Sequence, residues 1–341
     1  MDSRELDYDL PPELIAQHPA ARRDESRLLV FDRASGAIRD RNFADLPSEL
    51  EEATLTVVND TRVVPARYPI ASPRGEVLLI EPLGDGLWEA LARPTRRLKT
   101  GRRYGEIELL EHLGEGRWRV RLHGEPRGEV PLPRYITEPL ADPERYQTVY
   151  AQALGSAAAP TAGLHFTQEL LARLDVERVT LHVGLDTFRP LQAETVEQHR
   201  IHGERYEVRP AAWERIRTAE QVLAVGTTSV RVLETLARGA PLAGRTELYV
   251  TPGFEFLRID ALLTNFHLPR TTLLALVMAF GGVEEIRSVY RLGGAETQRR
   301  RWTRVRGRRA RRRSRACREG SPETTKGRPL GRPFRLDPSK R

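Results

Sequence analysis

The chain has 341 residues, 39% apolar and 30% charged, a globular balance that excludes an unfolded polypeptide and more length than one core usually needs. Cys317 is the only cysteine, which excludes an intrachain disulfide and a cysteine-based zinc site and fits a reducing compartment. The net charge of +8 is unevenly placed: 291–341 hold 19 of the 55 Lys+Arg but 4 of the 47 Asp+Glu, so the body is acidic by about seven charges and offers no global case for a nucleic-acid partner.

In chain order, Leu10 to Ala16 reads as a helix begun at Pro12, and Arg27 to Phe31 as a strand. Leu55-Thr56-Val57-Val58 is a buried strand that stops at the polar group Asn59-Asp60-Thr61-Arg62. Between Ala66 and Pro133 the pattern is all-β. Runs 77–83 and 87–92 meet across Gly84-Asp85-Gly86, and 107–113 and 118–122 meet across Gly114-Glu115-Gly116-Arg117. From Glu144 the text turns α/β. It predicts helices over 167–174, 212–219, 230–237 and 271–280, and strands over 179–183 and 221–225 and near Leu248 and Leu262. The expected architecture is therefore an α/β domain (1–66 and 134–290) with an inserted, barrel-like all-β domain (67–133). Residues 299–315 are mostly arginine with no helical or strand period, so 291–341 is expected to be a basic, disordered or frameshifted tail. Its readings are a phosphate-gripping arm, a solvated tail, or out-of-frame translation of a GC-rich gene. No run approaches eighteen apolar residues, and Met1 to Glu5 lack a leader-like charge pattern, so a cytoplasmic protein with no membrane partner is expected.

The polar ends of these elements carry the chemistry. Gly226-Thr227-Thr228-Ser229 sets three hydroxyls and several N–H groups at a helix start, suited to an anion or polar ligand group and equally to a helix cap. It is not a phosphate-binding loop with a lysine, and no dinucleotide fingerprint occurs. His165, His182 and His267 each stand among apolar residues beside Thr, Gly or Asn, where an imidazole serves either structure or proton transfer. His199-Arg200-Ile201-His202 has a metal-compatible spacing, but no fourth ligand is evident and Gly203 weakens a helix there.

Several segments, read together, resemble the S-adenosylmethionine:tRNA ribosyltransferase-isomerase family of the queuosine pathway. They include Tyr8 to Gln17, Asn59 to Arg67, Arg145 to Tyr150, Pro160 to Phe166, Thr180 to Pro190, His199 to Tyr206, Val225 to Arg231 and Leu262 to Leu274. The resemblance spans about 5–290; members close on an aromatic-rich stretch that nothing after Tyr290 matches. It implies ribosyl transfer from S-adenosylmethionine to 7-aminomethyl-7-deazaguanine at the tRNA wobble position, with formation of epoxyqueuosine and loss of adenine and methionine. No prosthetic group or metal is implied; S-adenosylmethionine is a substrate.

The chemistry asks for a base near the acidic C5′ protons and an acid for adenine, for which Asp60, His165, His182 and His267 are the candidates. Substrate-binding candidates are Asn59, Thr61, Arg62, Arg67, Gly184, Phe188, Arg189, Gly226, Thr227, Thr228, Ser229, Arg231 and Asn265. Phe188 or Phe266 offers a π face to a sulfonium, and the arginines suit a methionine carboxylate or tRNA phosphate. Arg96, Arg97 and Lys99, within a basic run from Arg93 to Arg103, are the expected tRNA contacts. A monomer is expected. The competing reading is a tRNA-binding relative with impaired catalysis for want of the family's ending. Both require the polar strand ends to converge in one cleft.

Overall fold

The computed structural model describes residues 1–184, 191, 193–199, 201, 203–295 and 300–306. Its strands in chain order are β1 (Arg27–Asp32), β2 (Ile38–Asn42), β3 (Thr54–Asn59), β4 (Thr61–Val63), β5 (Arg67–Ile70), β6 (Gly75–Gly84), β7 (Leu87–Arg93), β8 (Arg103–Tyr104) and β9 (Ile107–Gly114). There follow β10 (Arg117–Leu122), β11 (Ala153–Ser156), β12 (Asp175–Leu181), β13 (Glu204–Glu207), β14 (Gln221–Val225), β15 (Ala243–Thr246), β16 (Ala261–Asn265) and β17 (Arg300–Arg306). The helices are α1 (Gln168–Leu171), α2 (Pro210–Thr218), α3 (Gly226–Leu236), α4 (Thr272–Gly281) and α5 (Val283–Ala295).

Nine strands form one mixed sheet in the order β15-β13-β12-β3-β14-β16-β17-β1-β2, in which β12, β3, β14 and β16 are adjacent and parallel. Such strands are covered on both faces, which is why they read as unbroken apolar runs. Alternate side chains divide between two cores: Val57, Val222, Ala224 and Leu262 pack with α3, α4 and α5 on one face. Val58, Leu223, Val225 and Leu263 pack with Phe43, Phe166 and Leu170 on the other.

Strands β5 to β10 form a separate antiparallel, barrel-like sheet of six strands with a core of its own around Val77, Ile107 and Val120. Both expected hairpins are present. Their turns place Asp85 and Glu115 at φ near +50° between glycines at +72° to +93°, a conformation those glycines adopt without a Cβ clash. These strands fall within the stretch read as all-β, and they share one compact unit with the nine-stranded sheet.

Four local expectations are corrected. Pro12–Leu14 is one 3₁₀ turn instead of a helix, capped by Ile15 donating to the Pro12 carbonyl. β12 begins at Asp175, earlier than the expected start at Val179; its inward-facing Glu177 is neutralised by Arg215 at 2.9 Å. Near Leu248 the strand stands slightly earlier, as β15. Residues 300–306 form β17, not an aperiodic tail, because the sheet leaves a slot between β16 and β1 whose ladders both pair with it. The expectation for 307–341 lies outside the described residues. Among the described residues, no helix is long and apolar enough to cross a membrane.

Candidate functional site

Four polar segments leave the sheet at a single edge. In register, Asn59 lies opposite Val179 and Val225 opposite Leu263, so the C-terminal ends of β12, β3, β14 and β16 are nearly level. Asn59-Asp60-Thr61, His182, Gly226-Thr227-Thr228 and Asn265-Phe266-His267 therefore emerge side by side, where open α/β sheets place ligands.

Asn59 is fully buried and spends its amide on the backbone. Its Nδ2 donates to the Leu181 carbonyl (2.9 Å), and its Oδ1 accepts from the N–H groups of Leu181 (3.0 Å) and Thr61 (3.2 Å). That clamp ties the β3 end to the β12 end and carries Thr61 to His182, whose Nδ1 is 2.8 Å from Thr61 Oγ1. The Thr61 hydroxyl donates to the Ala153 carbonyl (3.3 Å), which leaves its oxygen to accept from Nδ1–H. The unprotonated Nε2 is then the free lone pair of a neutral ring. Burial, reinforced by the Arg205 charge and opposed by Glu81, pulls the His182 pKa down to about 4. Behind the ring stands Gly155 at φ +148°; a Cβ there would lie 2.9 Å from His182 Cε1, so glycine alone lets the imidazole sit against the β11 backbone.

His182 opens into a cavity of about 400 Å³ between the barrel-like sheet and the α/β sheet edge. Its charged lining is mixed, Glu81, Glu89, Glu115, Glu204 and Glu247 with Arg117, Arg205, Arg231 and Arg245, and Tyr249 stands among them. Glu81 is paired to Arg245 at 2.7 Å, while Glu115 and Glu247 have no ion-pair partner among the described residues. Gly184 lines the same cavity and donates its N–H to Glu204 (2.9 Å). Since Glu81, Glu89 and Glu204 are each paired to an arginine, Glu115 and Glu247 are the carboxylates this lining offers to a cationic group.

A second cavity, of about 320 Å³, shares the Val183 and Leu273 wall with the first. Gly226, Thr227, Thr228, Asn265, His165 and His267 line it. His165 is held by the Arg23 carbonyl (3.1 Å) and packs on Phe43. Gly163 lets that loop close on Tyr150, since a Cβ would meet the Tyr150 hydroxyl at 1.9 Å. His267 Nε2 is 2.8 Å from Thr264 Oγ1, and burial pushes its pKa down to about 3.

His182 and His267 thus resist protonation in the folded state, whereas unfolded histidine titrates near 6.5. The stability that follows is complete above pH 6.5 and is lost as pH falls from there toward 4 and 3. The urea midpoint should accordingly drop between pH 7.5 and pH 5, and His267→Gln should shrink that drop; an unchanged drop would contradict the assignment.

The remaining candidates are not brought to either cavity as free ligand groups. Asp60 faces Thr180, whose hydroxyl donates to Oδ1 (2.7 Å); burial raises its pKa against the opposing Thr180 bond and the charges of Arg178 and Arg209. Arg62 pairs with Glu144 (2.6 Å), and Arg67 reaches the Leu132 carbonyl (3.2 Å) and Glu76 (3.4 Å). Ser229 is buried and donates to the Val225 carbonyl (2.7 Å), as a residue of the first helical turn does. Arg231 touches the first cavity but spends its donors internally: Nη1 on Glu204, Nε on the Leu248 carbonyl (3.0 Å), Nη2 on the Thr246 carbonyl (3.0 Å). A buried guanidinium with every nitrogen used holds the fold and has no fork left for a carboxylate. Phe188, Arg189 and His202 lie outside the described residues. Among the described residues no cluster of three or more His, Cys, Asp or Glu has metal-holding geometry.

Sequence reasoning missed Gly155 and Tyr290 outright and the places of Tyr8 and Glu204 in the site; all four come into place through contacts more than twenty residues away in the chain.

The queuosine biosynthesis protein family model matches residues 3–302. The S-adenosylmethionine:tRNA ribosyltransferase-isomerase of Anaeromyxobacter sp. is 48% identical over 320 residues, 84% of this chain and 92% of its own length. That of Symbiobacterium thermophilum is 45% identical over 326 residues, 86% of this chain and 96% of its own. A crystal structure of S-adenosylmethionine tRNA ribosyltransferase from Thermotoga maritima superposes with a TM-score of 0.52 at 33% identity, covering 88% of this chain and 99% of that one. The chain belongs to the queuosine biosynthesis protein family, the family of these ribosyltransferase-isomerases.

Proposed function

We propose that this chain is itself an S-adenosylmethionine:tRNA ribosyltransferase-isomerase. It transfers and isomerises the ribosyl portion of S-adenosylmethionine onto 7-aminomethyl-7-deazaguanine at the wobble position, giving epoxyqueuosine and releasing adenine and methionine. The observation that carries the reading is His182: a neutral imidazole with Nδ1 held by Thr61 and Nε2 free toward a carboxylate-lined cavity. A sulfonium makes its adjacent C5′ protons acidic, and Nε2 is the group placed to take one. The proton goes to Nε2, and the electron pair left on carbon is stabilised by the neighbouring sulfur. Adenine leaves C1′ with the glycosidic electron pair and takes up a proton, while the wobble-base amine bonds to C1′ and gives up one of its own. The C5′ electron pair then closes the carbon ring onto C1′ as the ring oxygen departs from it, and that oxygen, still on C4′, displaces methionine from C5′ to form the epoxide. Glu115 and Glu247 favour the cationic sulfonium and aminomethyl groups in the same cavity.

The tRNA reaches this cavity along the barrel-like sheet, which we read as the inserted domain because it has its own core. Arg96, Arg97 and Lys99 are exposed on and beside the 3₁₀ turn Thr95–Arg97, without an acidic partner among the described residues. Thr95 neighbours Gly116, next to the cavity residues Glu115 and Arg117. Replacing all three cations by alanine should raise the KM for tRNA and leave that for S-adenosylmethionine unchanged. The log–log salt slope of tRNA binding should fall by about 0.7–0.9 for each phosphate no longer neutralised. An unaltered slope would place the tRNA elsewhere.

Purified full-length protein with adenine-labelled S-adenosylmethionine and precursor tRNA tests the function. Free adenine that depends on both substrates is expected. S-adenosylhomocysteine in its place would mean methyl transfer, and binding without release would mean a tRNA-binding relative.

A further inference from the structure

Resting on that reading, we propose that the second cavity is the donor's purine pocket, which takes the adenine of S-adenosylmethionine through Asn265, Thr228 and the first turn of α3. Besides Arg145 Nε and Tyr146 Oη, two buried polar atoms of its lining lack a partner at the sheet edge itself: Asn265 Oδ1 and Thr228 Oγ1, with Thr228 only 7% exposed. Buried polar atoms are nearly always paired, so two orphans on one wall point to a ligand that pairs them. The same wall carries the start of α3, an eleven-residue helix that begins at Gly226 with φ +84° and has no side-chain cap. Its first N–H groups have no intrahelical acceptor.

The facing surfaces are aromatic. Tyr290 packs edge-on against Phe266 (4.8 Å) and Tyr8 (5.3 Å). Their hydroxyls are already used: Tyr8 donates to the His267 carbonyl (2.6 Å), and Tyr290 accepts the His267 N–H (3.0 Å). What remains toward the cavity is ring surface, suited to a flat heterocycle. The size, about 320 Å³, is in the range of small-molecule sites.

Adenine has the matching edge. Its N6 amine donates to Asn265 Oδ1 while an adjacent ring nitrogen accepts from the same carboxamide, the bidentate pairing by which asparagine reads adenine. The Thr228 hydroxyl and the α3 N–H groups donate to the remaining ring nitrogens. When the glycosidic bond breaks, its electron pair goes to adenine, and the positive end of α3 stabilises the charge that develops. A guanine-type base would set its O6 carbonyl against the Asn265 oxygen, so the deazaguanine belongs in the first cavity.

The test measures dissociation constants of the full-length protein for adenosine, for purine riboside (which lacks the N6 amine) and for precursor tRNA. Wild type should prefer adenosine at least tenfold. Asn265→Ala should abolish that preference, Thr228→Val should weaken both nucleosides with recovery in Thr228→Ser, and tRNA affinity should stay within twofold throughout. Equal binding of the two nucleosides by wild type would overturn the pocket, as would variants that weaken tRNA and leave adenosine untouched. Substrate turnover is read separately: nucleoside discrimination without adenine release overturns the function and keeps the pocket, and release without discrimination does the reverse.

Discussion

His182→Ala should lower kcat for adenine release by about 10²- to 10⁴-fold, the usual cost of removing a positioned acid–base group, with the dissociation constant for S-adenosylmethionine little changed. The expectation follows from the division of labour at the β12 end. Val183 and Gly184 form wall, whereas the His182 ring has its Nδ1 held by Thr61 and lines the first cavity with its Nε2 lone pair. Thr61 acts through it as a positioning residue. Thr61→Val frees the ring to adopt either tautomer and should slow release, and Thr61→Ser, which keeps the hydroxyl, should recover most of the rate. His182→Gln, closer in shape, guards against misfolding of the alanine variant. Because the ring's pKa is pulled down to about 4, its limb in the kcat/KM–pH profile should appear near there instead of near 6.5, and should vanish in both His182 variants. Release within threefold of wild type in folded His182→Ala would remove the histidine from the mechanism.

Arg231→Met should destabilise the fold by about 3–5 kcal/mol, the range for stripping one partner from a buried ion pair. Arg231 and Glu204 are both over nine-tenths buried and bond to each other; Glu204 also accepts the Gly184 N–H, and Arg231 pins two carbonyls around β15. Removing the guanidinium strips the buried Glu204 carboxylate of its Arg231 ion pair and takes the Arg231 donors from two carbonyls. Urea unfolding should show the loss, while S-adenosylmethionine binding per folded molecule should persist. Intact stability with a tenfold higher KM for S-adenosylmethionine would instead return Arg231 to the role of a carboxylate clamp.

These two residues mark what the chain discloses locally and what it does not. The four central strands were legible because an apolar run that stops at Asn59, His182, Gly226 or Asn265 has only one way to bury itself in a parallel sheet. The hairpins were legible because Gly84-Asp85-Gly86 and Gly114-Glu115-Gly116 supply the positive φ their turns need. α5 was overlooked although Ile286, Val289 and Tyr290 recur at helical spacing onto the core. β17 was not legible: its strand state comes from the ladders of β16 and β1, not from its arginine-rich composition. At the site, residue types were readable but allegiances were not. Nothing near Arg231 announces Glu204, 27 residues away, and nothing near His182 announces Thr61 at a separation of 121. Asn59 and Ser229 have the chemistry of ligand groups, yet the backbone claims them. The partition of the strand ends between two cavities depends on where Val183 and Leu273 stand, which no local pattern encodes.

The most direct test is a structure of the full-length protein with S-adenosylmethionine and an anticodon stem-loop carrying the deazaguanine precursor, read for the separation of His182 Nε2 from the donor's C5′. A distance of about 3–3.5 Å, with the wobble base turned out into the carboxylate-lined cavity, is the expected result. C5′ lying beyond reach of Nε2, or the two substrates bound on opposite sides of the sheet, would contradict the account.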